Sequence, residues 1–95
     1  MSDIGVLNGP ALPGVLSVST AVEVKVGASR QDDRRVVTIQ PTDGDIYWGF
    51  DNTVSTTTGF LIRKWQLIQL EASDLLPIWV VAATGTVDVR IAEIG

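Results

Sequence analysis

Histidine and cysteine are both absent from this 95-residue chain. Without cysteine the chain can form neither disulfides nor thiolate zinc sites. Without histidine it lacks the usual general base near neutral pH and the commonest metal ligand. Its serines therefore have no histidine to activate them, and no glycine-rich phosphate loop is present. We expect no catalytic residues, no cofactor and no metal site, and we infer that the protein is not an enzyme.

Basic charge and long apolar runs are also scarce. Seven Lys and Arg against eleven Asp and Glu give a net charge of −4. Nucleic-acid-binding proteins neutralise phosphates with clustered Lys and Arg, so we expect no nucleic-acid partner. The longest apolar run, residues 75–83, contains Pro77 and is shorter than the roughly 20 residues of a membrane-spanning helix. The first residues lack the basic and apolar regions of a signal peptide, so we expect synthesis in the cytoplasm and no membrane partner.

The sequence is rich in Val, Ile and Thr, which favour β-strands. Apolar and polar residues alternate over several short segments, as they do in half-buried strands. The predicted strands span residues 22–26, 34–40, 46–50, 66–71, 78–83 and 86–94. Gly, Pro and Asp separate them at a spacing of roughly ten residues, which is typical of sandwiches and barrels. The fold class that this predicts is all-β: a small antiparallel β-sandwich or barrel, jelly-roll-like.

Two hairpins are predicted from turn chemistry. Residues 41–45 (PTDGD) form a turn between the strands at 34–40 and 46–50, because Pro and Asp-Gly suit reversals of the chain. Thr84-Gly85 joins 78–83 to the last strand in the same way.

The alternation of residues also predicts which side chains face the core. In the strand at 34–40 we expect Val37 and Ile39 to share one face and Thr38 and Gln40 the other. The segment 78–83 is continuously apolar, which predicts a central strand buried on both faces. In the last strand, the inward residues expected are Val87, Val89 and Ile91, and the outward residues expected are Asp88, Arg90 and Glu93.

Residues 1–20 differ from the remainder, since Gly and Pro interrupt isolated apolar side chains. We therefore divide the chain into an extended N-terminal arm, residues 1–20, and a single β-sandwich domain, residues 21–95. Ile4, Val6, Leu7 and Leu12 are more apolar residues than a solvated tail usually carries. They predict an arm that docks on a neighbouring subunit; the alternative is a mobile terminus.

The three tryptophans predict different environments. Trp48 shares a strand face with Ile46 and Phe50 and is expected in the core, whereas Trp79 is expected in the core or at a subunit interface. Trp65 follows Arg63 and Lys64 in a polar setting, so we expect it to be exposed. An exposed Trp is enriched at protein interfaces, and it can also stack on a sugar ring.

Three segments together carry a resemblance to a known group of proteins. They are RVVTIQP at 35–41, DIYWGFDNTVSTTTGF at 45–60 and AATGTVDVRIAE at 82–93. The chain resembles small β-sandwich virion structural proteins of tailed bacteriophages. The resemblance implies a capsid decoration (cement) protein that binds the major capsid protein between capsomers, on the exterior of the virion, as a homotrimer.

Two alternatives remain open at this point: a base or adaptor of a head or tail fibre, and a small carbohydrate-binding module with Trp65 as its platform. The partner-binding residues expected from the sequence are Ile4, Val6, Leu7, Leu12, Arg63, Lys64 and Trp65.

Overall fold

A computed structural model describes residues 10–95, which form eight strands in two antiparallel sheets. The strands are β1 (Ala11–Val18), β2 (Val22–Glu23), β3 (Val36–Pro41), β4 (Ile46–Gly49), β5 (Phe60–Ile62), β6 (Ile68–Glu71), β7 (Trp79–Ala82) and β8 (Val87–Ile94). The sheets have the orders β1-β8-β3-β6 and β2-β7-β4-β5. Residues 10–95 contain no helix that could cross a membrane. The expected all-β sandwich is confirmed.

The strand pairs are nested around the loop 50–59, which connects β4 to β5. β4 pairs with β5, β3 with β6, β2 with β7 and β1 with β8, all antiparallel. The pairs β3–β8 and β4–β7 then complete the two sheets. This arrangement is one long hairpin rolled onto itself, which is the jelly-roll order of eight strands.

Both predicted hairpins are wrong, because the strands that they join lie in different sheets. β3 and β4 are in opposite sheets, and so are β7 and β8. The connection 42–45 crosses between the sheets and packs beside the connection 83–86: Ala83 N donates to Asp45 O at 3.0 Å, and Asp88 N donates to the Asp43 carboxylate at 2.8 Å. Turn residues favour a reversal of the chain, but they do not decide whether the next strand pairs with the previous one or crosses the core.

Residues 11–18 form part of a sheet, whereas the sequence predicts an arm over 1–20. β1 pairs with β8 along its whole length, from Ala11↔Ile94 to Val18↔Val87. Pro13 is compatible with β1 because the strand is an edge and has a free side. Pro13 and Gly14, which the sequence pattern assigned to the arm, are therefore edge-strand residues. Ile4, Val6 and Leu7 lie outside the described residues.

The core lies between the sheets and consists mainly of Val and Ile. Its members, all buried, are Val18, Val24, Val37, Ile39, Ile46, Ile62, Ala72, Ile78, Val80, Ala82, Val87, Val89 and Ile91. The expected alternation of β3 is confirmed, with Val37 and Ile39 buried and Thr38 and Gln40 only partly covered. β7 is central in its sheet but is buried fully on one face only.

Glu93 faces the core, contrary to the expectation that it points outward. It lies two residues after Ile91, so it shares the inward face of β8, and it is 0% exposed. Its carboxylate accepts a 2.9 Å hydrogen bond from Arg34 Nη1, and both side chains of this ion pair are fully buried. A charge is stable in such a place only when it is paired and hydrogen-bonded. The alternation along β8 therefore continues through residue 93, and the buried Arg34 stabilises the inward charge.

Candidate functional site at one edge of the sandwich

Acidic side chains do not form a metal-binding group in the described part of the chain. No cluster of three or more His, Cys, Asp or Glu that could hold a metal ion occurs within residues 10–95. The most distinctive surface is instead apolar, so the candidate site is one for binding another molecule.

Exposed apolar side chains are concentrated in one region of the molecule. Of the nine large hydrophobic side chains that are exposed in residues 10–95, seven lie between residues 50 and 76: Phe50, Phe60, Leu61, Trp65, Leu67, Leu75 and Leu76. β5 and β6 are the last strands of their sheets, and residues 63–67 connect them. They therefore run along the same side of the sandwich. We call these seven residues the β5–β6 edge; concentrations of this kind mark interaction sites in soluble proteins.

A groove opens between the two sheets at this edge. Its volume is about 200 Å³, and its walls are Trp48, Phe50, Leu70, Glu71, Ala72, Leu76 and Ile78. Glu71 is the one charged residue among them.

Two aromatic rings, Trp48 and Phe50, line one side of the groove, and a third, Phe60, packs against Trp48. The Trp48 ring lies 5.0 Å from the Phe60 ring and 5.3 Å from the Phe50 ring, centre to centre, and it meets Phe50 edge to face. Trp48 packs partly on the core and partly lines the groove, so the expectation of a core position holds only for one side of its ring. Phe50 and Phe60 are 50% and 56% exposed. The rings are thus held against one another while one side remains open to solvent.

The loop 50–59 that presents Phe50 and Phe60 is stabilised by its own polar side chains. The Asp51 carboxylate accepts hydrogen bonds from the backbone N and the hydroxyl of Thr53, at 2.9 and 2.5 Å. The hydroxyl bond and then the backbone bond lower the pKa of Asp51 below its ordinary value of 3.8. Ser55 N donates to the Thr58 hydroxyl at 3.1 Å. The Thr- and Ser-rich sequence therefore encodes a defined turn.

Close packing fixes the same loop onto the outer face of its sheet. A Cβ on Gly59 would lie 2.7 Å from Tyr47 Cβ and 2.9 Å from Val54 Cγ2, and one on Gly49 would lie 2.8 Å from Val54 Cγ2. Because neither glycine has a Cβ, the buried Val54 side chain can pack directly against the sheet. Phe50 and Phe60, at the two ends of this loop, are consequently held in fixed positions.

The turn that follows β5 presents Trp65. Its φ is +69°, in the left-handed region that bulky residues rarely adopt. Trp65 N donates to Pro41 O at 2.8 Å, and Trp65 O accepts from Gln40 Nε2 at 3.1 Å. The side chain is 56% exposed, which confirms the expectation from the sequence.

Arg63 and Lys64 stand beside Trp65, with both side chains exposed. Arg63 N donates to Gln66 Oε1 at 3.0 Å, and Lys64 N donates to the Asp45 carboxylate at 2.8 Å. The three ion pairs found in residues 10–95 use other cations, so neither side chain has a carboxylate partner there.

The connection 72–78, which the sequence analysis did not single out, completes the surface. Leu75 is 87% exposed and Leu76 lines the groove. Arg34 holds this segment by donating to the carbonyl oxygens of Ala72, Ser73 and Leu76 at 3.1, 2.7 and 2.6 Å. The sequence predicted a buried strand only over 78–83. Nothing in the pattern indicated that Arg34, far away in the chain, would hold Leu75 and Leu76 at the surface.

The structure brings together only part of the partner-binding set expected from the sequence. Arg63, Lys64 and Trp65 lie in the turn of the β5–β6 edge. Leu12 is exposed on β1, at the other end of its sheet. A scan against protein-family models and a search of curated proteins each find no match to this chain. The fold and the β5–β6 edge therefore carry the functional argument.

Proposed function

We propose that this protein is a decoration (cement) subunit of a tailed-bacteriophage capsid, which binds the major capsid protein through the β5–β6 edge. The observation that carries the proposal is the concentration of seven exposed apolar side chains at one edge of a small jelly roll. Jelly rolls are a common architecture of viral capsid proteins and of lectins. The resemblance of three segments to phage virion proteins favours the first of these.

The surface is suited to a protein partner. Protein interfaces are enriched in aromatic residues and depleted of charge at their centres, as the β5–β6 edge is. A sandwich of this size presents only a modest binding area, but a trimer repeats each contact, and linked contacts bind much more tightly than single ones. Homotrimers at the junctions between capsomers are therefore the assembly that we propose, on the capsid exterior.

Carbohydrate binding is less well supported by the same surface. A sugar site needs several polar groups that converge on the hydroxyls of the ligand. The groove supplies one charged side chain, Glu71, and is otherwise lined by Trp, Phe, Leu, Ala and Ile. An apolar side chain of a protein partner fits this lining better than a sugar does.

The deciding experiment is the copy number in purified virions, measured by calibrated mass spectrometry against the major capsid protein. Decoration predicts a ratio near unity. A few copies per particle would instead indicate the alternative, a fibre base or adaptor, and absence from the particle would overturn a virion role altogether.

The contribution of the N-terminal residues is tested by deletion. Ile4, Val6 and Leu7 are proposed to add apolar contacts with the capsid, so removing residues 1–9 should weaken capsid binding and leave the urea unfolding midpoint unchanged. A longer deletion is unsuitable, because removal of residues 1–14 would take away half of β1. If the protein lacking residues 1–9 decorates capsids as well as the full chain, these residues are not partner contacts.

A further inference from the structure

Trp65 occupies a backbone conformation that its side chain disfavours. Two residues of 10–95 other than glycine have positive φ, Asp33 at 57° and Trp65 at 69°. Asp tolerates this region because its short polar side chain bonds locally, whereas a bulky residue there is strained. Glycine would adopt the same conformation without strain. The backbone alone therefore favours glycine at position 65.

Neighbouring residues impose the strained conformation. The N–H and the C=O of Trp65 are both engaged by β3, through Pro41 O and Gln40 Nε2. The turn itself is closed by the 2.9 Å bond from Gln66 N to Arg63 O. Strain of this kind persists only where surrounding structure fixes it, and such residues are concentrated at functional sites.

Packing within the chain does not account for tryptophan at this position. The side chain is 56% exposed and does not belong to the core cluster or to its partly buried neighbours. Within the described residues its ring stacks on no other aromatic ring, and its indole N–H has no hydrogen-bond acceptor. Folding therefore gains less from this side chain than from a core tryptophan, and the strain of the turn offsets what its covered part contributes.

We infer that Trp65 is the anchor of the partner interface, and that its indole enters an apolar pocket of the capsid protein whose rim carries carboxylates. The inference rests on the proposed function and names the residue that determines affinity. Arg63 and Lys64 precede Trp65 in the same turn, and neither side chain forms an ion pair with a carboxylate of residues 10–95. The Asp45 carboxylate accepts a hydrogen bond from the Lys64 backbone N at 2.8 Å. Trp and Arg are the residues most enriched among those that dominate binding energy.

The test uses two variants of one residue, Trp65→Gly and Trp65→Ala, with Asp33→Gly as the matched control. Both Trp65 variants lose the ring, but only glycine relieves the strain. We expect the urea midpoint of Trp65→Gly to equal or exceed that of the wild type, and to exceed that of Trp65→Ala. We expect its affinity for capsids prepared without this protein to fall about 30-fold or more, the factor that corresponds to about 2 kcal/mol, the threshold of a dominant contact. Asp33→Gly should bind as the wild type does.

Each outcome is decisive. Wild-type affinity of Trp65→Gly would overturn the inference and leave the proposed function standing. A loss of both affinity and stability in Trp65→Gly would assign the ring a structural role and would also overturn it. Failure of the wild-type protein itself to bind capsids would remove the proposed function and the inference together. A further arm tests the rim: the Arg63→Gln/Lys64→Gln variant should bind with a weaker dependence on salt, and an unchanged dependence would argue against partner carboxylates.

Discussion

The two edges of the sandwich differ in whether a segment of the chain covers the opening between the sheets. At the β1–β2 edge, residues 24–34 continue from β2 and cover the opening between the sheets: Val24 is buried, Val26 N bonds the Glu93 carboxylate at 2.7 Å, and Arg30 pairs with Glu23 at 2.6 Å. At the β5–β6 edge no comparable segment of residues 10–95 covers the groove, and the exposed side chains are apolar.

The difference shows that the open edge is not a general consequence of small size. The same chain closes one edge with buried hydrogen bonds and leaves the other apolar, although a small sandwich has little apolar surface to leave exposed. On the proposed function the open edge is the binding surface, and we therefore expect substitutions at the two edges to affect different properties.

The largest effect is expected from Arg34→Met, because Arg34 joins Glu93, which the closed edge covers, to the connection 72–78. Removing the guanidinium leaves the Glu93 carboxylate buried without its partner, which typically costs about 3–5 kcal/mol. It also leaves three carbonyl oxygens without their donor. Urea unfolding should report this loss of stability. Arg35→Met is the matched control, because Arg35 is exposed and should change stability by no more than about 0.5 kcal/mol; equal effects of the two variants would mean that the buried pair is not a special contributor.

An intermediate effect on stability is expected at the open edge, together with a large effect on binding. Phe50→Ser/Phe60→Ser removes two half-exposed rings, so we expect a loss of about 1.5–3 kcal/mol in unfolding free energy, since each ring is only half covered. Capsid binding should be abolished. Val15→Ser, which changes an exposed apolar residue on β1, is the control; if it impaired binding as much as the double variant, the interface would not be confined to the β5–β6 edge.

The smallest effect concerns the loop that presents these rings. The pKa of Asp51 is lowered because Thr53 donates two hydrogen bonds to the ionised carboxylate. A lowered pKa means that the carboxylate stabilises the fold above the ordinary value near 3.8 and that this contribution is lost as the pH falls through the lower, folded value. NMR titration should therefore give Asp51 a midpoint below that of an unbonded aspartate, and Thr53→Val should raise it. A midpoint at the ordinary value in the wild type would show that the loop is not held in this way.

Local patterns predicted local features well. Alternation correctly assigned the inward residues of β3 and most of those of β8, and composition correctly indicated a sandwich. Strand pairing could not be predicted in the same way. Pro41 and Gly85 indicate that the chain reverses, but they do not indicate which sheet the next strand joins. β1 was missed since Pro13 resembles loop punctuation, although an edge strand tolerates it.

Prediction of the candidate site was limited for a similar reason. Trp65 was expected to be exposed from its polar neighbours, but its strained backbone cannot be inferred from sequence pattern. The groove needs residues from three separate segments to meet, so Leu76 and Phe50 gave no individual signal. Glu93 was misplaced because its partner, Arg34, is 59 residues away along the chain.

The nested pairing has a consequence for how the chain reaches its native state. Only β4 and β5 are both consecutive and paired, whereas β1 must find β8 across nearly the whole sequence. Folding rates fall as contacting residues lie further apart in the chain, and all-β proteins of this kind fold in milliseconds to seconds. During synthesis β1 emerges first but has no partner until β8 has been translated. The sheet that β1 completes therefore cannot close before β8 is available.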